Sequence, residues 1–420
     1  MKFSISQVAL ATLLFLAAGC ARQAGFTTVK DGHFARDGHA QKFVGTNFWY
    51  GPILASEGQG GNMARLEREL DALKDLGLVN LRVLVGGDGP DGVFSRVDPT
   101  LQKAPGVYND TLLVGLDRFL VELGKRDMQA VLYLNNSWEW SGGYGQYLEW
   151  ATGEKALLPL VDGYWPFMQQ MRKFQTSKPA QELFYNHVRA VVGRVNTITG
   201  KPYKDDPAIF SWQIGNEPRC FSDEPEIRDG FIAWMTETAR IIKEIDPNHM
   251  VSTGNEGLMG CENDPGLLKR VNTIPGVDYM TIHIWPYNWS WAKEESLSED
   301  LDDALAKTDE YVGQHVELAH QLGLPIVVEE FGFPRDGFSP DREATTTCRD
   351  KYYDHIFSLV RKGTLDGCNF WGWSGFANPS GPQWHKGDDY TGDPAQEAQG
   401  LNGVYMTDST IGIIKQSLSY

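Results

Sequence analysis

Short apolar segments alternate with longer amphipathic segments along most of the chain. The short segments are rich in β-branched and aromatic residues and predict buried strands, whereas apolar residues at every third or fourth position predict helices. The predicted strands are 43–48, 79–84, 129–134, 208–214, 250–253, 279–283, 326–329 and 368–371. The predicted helices are 63–76, 112–126, one within 179–198, 226–245, 265–271, 302–322, 342–362 and 409–419.

This alternation predicts an α/β fold, a (β/α)8 TIM barrel forming one domain over residues 21–420. Each predicted strand is followed by a helix, and strands that are apolar along their length are typical of a parallel sheet covered on both faces. A doubly wound sheet is the alternative, but no Gly-rich phosphate-binding turn follows the first strand.

Three further segments complete the predicted architecture. Residues 27–43 predict an N-terminal β-hairpin that turns at Asp37 and Gly38 and plugs the bottom of the barrel. Segments 135–178 and 372–408 are long for loops, and each follows a strand. We therefore expect both on the C-terminal face, where barrel enzymes hold their sites.

Residues 1–20 predict an export segment rather than part of the fold. Lys2 gives a positive start, 8–18 is apolar, and small residues lead to Cys20. The ending AAGC resembles a bacterial lipobox, although Leu16 stands one place further out than usual. It predicts a lipid on Cys20 and a place at the cell envelope, in the outer membrane or periplasm; ordinary cleavage and secretion are the alternative.

The formal net charge of -17 argues against nucleic acid and anionic membrane surfaces as partners. A neutral polymer or a small molecule fits this charge better, and we expect a monomer that touches a membrane only through the lipid anchor. Thirteen tryptophans, many beside Gly, Asn or Pro, can line a groove as well as fill a core.

Export makes disulfides possible for the four cysteines that follow the export segment. Cys220 and Cys261 each follow a predicted strand end, and the two strands are expected to be neighbours. We therefore predict a disulfide between Cys220 and Cys261.

Polar and aromatic residues stand at the C-terminal ends of nearly all the predicted strands. In a parallel barrel these ends converge, so two carboxylic acids from strands four and seven meet there. Glycosidic cleavage needs two such acids, one to protonate the departing oxygen and one to attack or to activate water. The converging residues are Asn47, Trp49, Tyr50, Arg82, Asn135, Asn136, Trp138, Asn216, Glu217, His283, Trp285, Glu329, Glu330 and Trp371.

Other chemistries lack their sequence patterns. There is no His-Glu-x-x-His or Cys-x-x-Cys spacing for a metal and no Gly-x-Ser-x-Gly nucleophile turn. We therefore expect neither a metal nor a cofactor.

The segments WQIGNEPRC, HIWPYNW, VVEEFGF and NFWGWSGF, in this order, resemble glycoside hydrolase family 5, subfamily 7. This group contains β-mannanases and exo-acting β-mannosidases, and the resemblance covers the chain from about residue 34 to its end. It implies a retaining, cofactor-free hydrolase of β-1,4-mannosidic bonds in mannan, glucomannan or galactomannan, or in their oligosaccharides.

The resemblance also implies roles for matching residues. Glu217 would be the general acid/base and Glu330 the nucleophile, with Arg82 beside Glu330. Asn216 would hold the sugar 2-hydroxyl, and His283 would line the catalytic subsite.

Further residues are predicted to contact substrate. Trp371 would stack on the sugar, and Trp285 stands where many members carry a tyrosine beside the nucleophile. Glu329 is expected to point away from Glu330 by strand alternation and to be structural. The remaining predicted substrate contacts are Trp49, Asn135, Trp138 and Arg219.

Four functions remain open at this point. Internal cleavage of mannan is the first, and release of mannose from chain ends is the second, because the two long loops could close one end of a cleft. A different β-glycan could be cut by the same residues. A glycan-binding lipoprotein without catalysis is the alternative from another class.

Overall fold

The structure is a computed structural model that describes residues 25–417. Its strands, in chain order, are β1 Thr27–Lys30, β2 His33–Arg36, β3 His39–Ala40, β4 Phe43–Asn47, β5 Asn80–Leu84, β6 Gln102–Ala104, β7 Val107–Tyr108, β8 Gln129–Tyr133, β9 Ile209–Gln213, β10 Met250–Ser252, β11 Met280–Ile284, β12 Ile326–Phe331, β13 Gly367–Phe370, β14 Trp373–Gly375 and β15 Val404–Tyr405. Its α-helices are Gly51–Leu54, Met63–Asp75, Asp110–Lys125, Gly143–Thr152, Pro159–Asp162, Tyr164–Met171, Lys178–Val192, Pro225–Ile245, Pro265–Asn272, Leu301–Leu322, Thr347–Lys362 and Thr410–Gln416.

Eight parallel strands form the central sheet, in the order β10-β9-β8-β5-β4-β13-β12-β11. Backbone hydrogen bonds join the two ends of this sheet, from Asp278 N to Val251 O (2.8 Å) and from His283 N to Glu256 O (3.1 Å). The sheet therefore closes on itself, and the predicted (β/α)8 barrel is confirmed. All eight predicted barrel strands lie within two residues of their predicted ends.

One helix begins later than its apolar pattern predicts. The pattern predicts a start at 342, whereas the helix Thr347–Lys362 begins five residues on. The Asp336 carboxylate accepts the backbone N–H groups of Thr347 (2.8 Å) and Cys348 (3.0 Å). These are donors that a helix start leaves unpaired, so Asp336 fixes the first turn there.

The bottom of the barrel is closed by a three-stranded antiparallel sheet, β1-β2-β3. The predicted single hairpin is therefore incomplete: the chain turns at Asp37 and Gly38 as expected, but it also turns at residues 31–32. Phe34 of β2 is fully buried, and its ring lies edge-on to Phe210 (5.2 Å) and Tyr279 (5.3 Å). This ring cluster is the plug.

The two long loops are ordered walls above the strand ends. The first contains three α-helices, Gly143–Thr152, Pro159–Asp162 and Tyr164–Met171, and the second contains β14 and β15. Trp373 of the second loop donates its indole N–H to buried Glu69 (2.8 Å), on the helix Met63–Asp75. The second wall is thus attached to a helix outside the barrel.

The predicted disulfide between Cys220 and Cys261 is wrong in this structure, where both thiols are free and buried. Each thiol instead serves as a donor: Cys220 Sγ bonds to Ser222 O (3.2 Å) and Cys261 Sγ to Asn255 Oδ1 (3.4 Å). Burial raises the pKa of the Cys220 thiol to about 11, which keeps it protonated at neutral pH.

Within residues 25–417, no helix has both the length and the apolar character needed to cross a bilayer. The predicted export segment and Cys20 lie outside the described residues.

Candidate active site

Arg82 of β5 is the fully buried centre of the polar cluster at the strand ends. Its guanidinium donates to Glu330 Oε1, to Asn216 Oδ1 (2.8 Å), to Asn47 Oδ1 (3.1 Å) and to Gln213 Oε1 (2.8 Å). A planar fork of five donors suits this task, because it can hold several oxygens in fixed directions. Arg82 thereby fixes the relative positions of side chains from β4, β9 and β12.

Glu330 lies on β12 next to a break in the strand register. Ile282 of β11 pairs with Val328, but the next residue, His283, pairs with Glu330, so Glu329 has no opposite residue. Such a bulge turns two successive side chains toward one side of a strand. The prediction that alternation points Glu329 away from Glu330 is therefore wrong.

Both carboxylates instead face Arg82, and Glu329 lies on its other side. Glu329 Oε2 is 3.7 Å from Arg82 Nε, and it accepts a hydrogen bond from Gln213 Nε2 (2.5 Å). Tyr279 donates its hydroxyl to Glu329 Oε1 (3.1 Å). All the contacts of Glu329 are with these buried supporting groups, as a structural residue requires.

Glu217 follows β9 in an unusual backbone conformation, with a φ of 50°. A non-glycine residue there costs about 1–3 kcal/mol, so its surroundings must hold it. Ser137 Oγ donates to Glu217 O (2.5 Å), and Glu217 N donates to Gly254 O (3.0 Å). Position 254 must be glycine, because a Cβ there would lie 1.9 Å from the oxygen of Gly215.

The Glu217 carboxylate is bound on both oxygens. Trp138 donates its indole N–H to Oε2 (2.5 Å), and His283 Nδ1 lies 2.8 Å from Oε1. The same His283 nitrogen is 3.4 Å from Glu330 Oε2, so the imidazole bridges the two acids. The two acids are therefore parts of one hydrogen-bonded unit.

Trp285 contacts Glu330 from the position where many family 5 relatives were expected to carry tyrosine. Its indole N–H donates to Glu330 Oε2 at 3.3 Å, a longer bond than a phenol would make. Gly332 provides the space, because a Cβ at that position would lie 2.5 Å from the indole ring. Each acid thus has its own indole donor, Trp138 for Glu217 and Trp285 for Glu330.

Burial raises the pKa of both Glu217 and Glu330. The positive charges of Arg219 and then of Arg82 oppose this at Glu217, and the charge of Arg82 opposes it at Glu330. Arg82 touches Glu330 directly and does not touch Glu217. When one of the pair ionises, the negative charge is therefore best placed on Glu330, and the proton on Glu217.

Burial also lowers the pKa of His283 well below its ordinary value, so its ring is neutral at neutral pH. A neutral imidazole can donate to a carboxylate or accept from a carboxylic acid through Nδ1, depending on its tautomer. His283 can therefore accompany Glu217 in either protonation state.

One oxygen of Glu217, one of Glu330 and a nitrogen of His283 lie within 4.8 Å of one another, a spacing that could hold a metal ion. However, both oxygens of each acid already have donors from the protein, and the Arg82 cation touches Glu330. These donors and this charge fit a carboxylate pair better than a cation site.

A cavity of about 750 Å³ opens above this pair. Arg219 lines it, forms an ion pair with buried Glu256 (3.0 Å) and lies 5.7 Å from the Trp138 ring centre. The other lining residues include Trp138, Glu139, Trp140, Leu160, Tyr164, Asn216, Glu217, Trp285, Tyr287, Glu330, Trp371, Gln396 and Glu397. The volume falls in the range of sites that bind small molecules or parts of a polymer.

Comparison with known proteins agrees with this geometry. A family model described as "GH family 5 beta-mannosidase-like" matches residues 24–419. The chain belongs to this family. The resemblance to glycoside hydrolase family 5 is thus confirmed, while the assignment to subfamily 7 stays a prediction.

Among solved structures, the family 5 mannosidase of Rhizomucor miehei is 33% identical, with a TM-score of 0.86, and the match covers 94% of this chain and 97% of that one. The endo-1,4-β-mannanase of the same organism is 22% identical with a TM-score of 0.69, which shows the shared fold alone.

Plant relatives are similar over parts of their length. Mannan endo-1,4-β-mannosidase 7 of Arabidopsis thaliana is 30% identical over 83% of this chain and 77% of its own. Mannan endo-1,4-β-mannosidase 4 of Oryza sativa subsp. japonica is 33% identical over 65% of this chain. The chain spans only 59% of the length of that rice relative.

Most of the predicted site residues of this family 5 protein come together as expected. Four of them do not line the cavity. Arg82 and His283 are fully buried and contact the two acids, whereas Trp49 and Asn135 have other partners. Trp49 is buried, and its indole N–H donates to Gly392 O (3.2 Å), so it supports the second long loop. Asn135 Oδ1 accepts from the backbone of Asn136 (2.7 Å) and shapes the turn after β8.

Five acids of the cavity lining were missed by the sequence reasoning: the exposed Glu294 and Glu295, and the three acids Glu139, Glu256 and Glu397. Glu256 follows β10 by four residues, so the rule that strand ends converge could have found it. Glu139 and Glu397 lie in the two long loops, where no periodic pattern indicates their direction. Burial raises the pKa of Glu139 to about 7 and that of Glu397 to about 8.

Proposed function

We propose that this protein hydrolyses β-1,4-mannosidic bonds with retention of configuration, and that it cuts mannan chains internally. One observation carries the proposal: an oxygen of Glu217 and an oxygen of Glu330 lie within 4.8 Å of each other. Retaining glycosidases hold their carboxyl groups about 5–5.5 Å apart, whereas inverting ones need about 6.5–9.5 Å to admit a water.

In the first step, a Glu330 oxygen attacks the anomeric carbon while Glu217 gives its proton to the departing glycosidic oxygen. The bond to the leaving sugar breaks, and an ester forms between Glu330 and the remaining sugar. Arg82 keeps Glu330 ionised before the attack, because it places a positive charge directly on the carboxylate.

In the second step, the ionised Glu217 takes a proton from a water molecule, whose oxygen attacks the anomeric carbon. The bond between that carbon and Glu330 breaks, which releases the sugar and the Glu330 carboxylate. The ester is neutral, so it no longer raises the pKa of Glu217, and the same residue can act first as an acid and then as a base. The bridging position of neutral His283 is compatible with both states.

The substrate is proposed from the family and from its named relatives. Relatives named mannan endo-1,4-β-mannosidases support mannan as substrate and internal cleavage as mode. The Arg219–Glu256 pair at the cavity wall, with Trp138 beside it, supplies charged donors and an aromatic face for sugar hydroxyls and ring carbons.

Early products from a long linear mannan test the function. Proton NMR should show the β-anomer of the new reducing end first, and chromatography should show oligosaccharides of several lengths. An α-anomer first would contradict retention. Hydrolysis of β-glucan with no hydrolysis of mannan would contradict the substrate.

Release of mannose from chain ends is the second candidate function. It is favoured by the match to the Rhizomucor miehei mannosidase, which covers nearly the whole of both chains. It is also favoured by the two long loops, since Leu160, Tyr164, Gln396 and Glu397 form part of the cavity wall. Mannose as the sole early product in the same chromatogram would establish this mode.

We also propose that the protein is exported, attached to the cell envelope by a lipid on Cys20, and monomeric. The charged start, apolar run and AAGC ending of residues 1–20 support export and lipidation. Detergent phase partitioning should place the wild type in the detergent phase and Cys20→Ala in the aqueous phase. Light scattering of the Cys20→Ala protein should give the mass of one chain.

A further inference from the structure

An exposed apolar patch lies on the first long loop. Nine large apolar side chains are exposed in the described part of the chain, and four of them fall within six residues. These four are Leu160 (51% exposed), Val161 (66%), Tyr164 (58%) and Trp165 (69%), here called the rim patch. Single exposed apolar residues are ordinary, whereas a group of this size marks a binding surface.

The rim patch is continuous with the catalytic cavity. Leu160 and Tyr164 line that cavity, while Val161 and Trp165 extend away from it. Partial burial, and then the charges of the cavity residues Glu139 and Glu397, raise the pKa of the half-exposed Tyr164 phenol. One edge of the rim patch therefore faces the same space as the catalytic acids.

The rim patch is also held at a fixed position relative to those acids. Phe167, on the helix Tyr164–Met171, is fully buried and stacks on Trp138 with ring centres 5.9 Å apart and planes 12° apart. Trp138 in turn donates to Glu217. A single helix thus contacts the active-site tryptophan on one side and presents Tyr164 and Trp165 on the other.

The preceding turn is tied to this helix by side-chain hydrogen bonds. Gln170 accepts from Leu157 N (2.9 Å) and donates to Lys155 O (2.8 Å). Asp162 accepts from Leu158 N (2.8 Å). Because the backbone is fixed, the exposed side chains lose little further freedom when they bind, which favours a preformed site.

We propose that the rim patch is a secondary binding platform for a β-mannan chain that extends beyond the sugars held at the two acids. The proposal rests on the proposed function. The faces of Tyr and Trp rings pack against the C–H faces of pyranose rings, and a neutral chain needs no opposite charge. The net charge of -17 disfavours the main competing occupant, an anionic membrane surface.

Removing the outer half of the platform tests the proposal. Trp165→Ala combined with Val161→Ala leaves the cavity lining in place. We expect KM for long soluble mannan to rise roughly 3- to 10-fold, the loss expected for one aromatic contact. For mannotriose, which we expect to occupy the cavity without extending to Val161 and Trp165 outside its lining, kcat/KM should not change.

Ile198→Ala is the matched control. Ile198 is also exposed (48%) but follows the helix Lys178–Val192 at the opposite end of the barrel. The Ile198→Ala variant should leave KM for long mannan and kcat/KM for mannotriose unchanged. An unchanged KM for mannan in the double variant would overturn the proposal, and an equal loss on both substrates would show damage to Trp138 instead.

Binding without turnover separates this proposal from the proposed function. Affinity electrophoresis in mannan gels should retard Glu330→Gln more than Glu330→Gln with Trp165→Ala. Equal retardation, combined with binding to vesicles of phosphatidylcholine and anionic phosphatidylglycerol that depends on Trp165, would replace mannan by a lipid surface. A wild type that hydrolyses neither mannan nor mannotriose would refute the proposed function, whatever the gels show.

Discussion

The two halves of the active site differ in how their carboxyl groups are satisfied, although His283 Nε2 and Trp371 Nε1 at the strand ends also have no partner among the described residues. At the strand ends, Arg82 and both carboxylates are hydrogen-bonded to protein groups on every side. On the loop wall, Gln396 Oε1 and Glu397 Oε2 are buried and have no hydrogen-bond partner among the described residues.

This difference separates two tasks. The strand ends are organised before substrate arrives, as electrostatic catalysis requires. The loop wall has polar atoms that are satisfied only when water or substrate fills the cavity. Changes at the strand ends should therefore act on the chemical step, and changes on the wall should act on binding and on stability.

Removal of either catalytic acid has the largest expected effect. Glu330→Ala and Glu217→Ala should each lower kcat by about 10⁴-fold or more, since each removes a group that makes or breaks a bond. Circular dichroism should show that both variants fold. Azide should restore turnover in each, since it can replace a missing carboxylate. Full activity of either variant would contradict the assignment.

The loop wall should show its effect in stability. Burial raises the pKa of Glu139 to about 7, against 4.5 ordinarily, so the folded state favours its neutral form. The contribution of neutral Glu139 to the free energy of unfolding is complete below pH 4.5, and it is lost as the pH rises through 7. Glu139→Gln cannot ionise, so at pH 8 it should be more stable than wild type by up to about 3 kcal/mol.

Urea unfolding at pH 4 and pH 8 measures this difference, which should vanish at pH 4. The exposed Glu67→Gln is the control and should show no such dependence on pH. The same difference in stability at both pH values would contradict the burial of Glu139 and its raised pKa.

Arg82→Lys tests the fork at the strand ends. Lysine keeps the positive charge but cannot donate to four oxygens in fixed directions. Each charged hydrogen bond that is lost is worth about 1.5–3 kcal/mol. We therefore expect kcat/KM to fall about 10- to 100-fold. Glu330 should then have a higher pKa. Because Glu330 must be ionised, the acid limb of the pH profile should move to higher pH.

Arg96→Ala is the control for Arg82. Arg96 is also buried, but it donates to Gln146 (2.7 Å) in the first long loop. The acid limb of the pH profile of Arg96→Ala should stay where it is in the wild type. An unshifted acid limb in Arg82→Lys would show that Arg82 does not set the charge of Glu330.

The two indole donors should differ by the length of their bonds. Trp138→Phe keeps the stack on Phe167 but removes the 2.5 Å bond to Glu217, and should lower kcat/KM roughly 10-fold. Trp285→Phe removes the 3.3 Å bond to Glu330 and should cost roughly 2- to 3-fold.

The pH profiles of these variants provide a second test of the Trp138 hydrogen bond. The Trp138 bond lowers the pKa of Glu217, so its loss raises that pKa. Since Glu217 must be protonated, the alkaline limb should move to higher pH in Trp138→Phe. A larger fall in kcat/KM in Trp285→Phe than in Trp138→Phe would contradict the claim that the shorter indole bond contributes more.

The sequence allowed the prediction of what depends on local pattern. Apolar runs predict the barrel strands and where they end. The same prediction places Glu217, Glu330, Arg82 and His283 together at the C-terminal end of the barrel. Trp49 shows the limit of this rule. It stands at a strand end, but its direction depends on Gly392, which lies 343 residues further along the chain.

The other errors also arise from contacts that local pattern does not encode. The bulge at Glu329 depends on how β11 meets β12, and alternation within one strand cannot show it. Glu139 and Glu397 come together only because two separate loops fold over the same cavity. A loop has no periodicity, so the direction of such side chains is fixed by packing alone.

Trapping of the covalent intermediate tests the central claim most directly. An activated 2-deoxy-2-fluoro-mannoside should react with the enzyme and accumulate as an ester, because the fluorine slows its hydrolysis. Mass spectrometry of the digested protein should place the label on the peptide that contains Glu330, and on that residue. A label on Glu217 or Glu329, or turnover without any covalent adduct, would contradict the account.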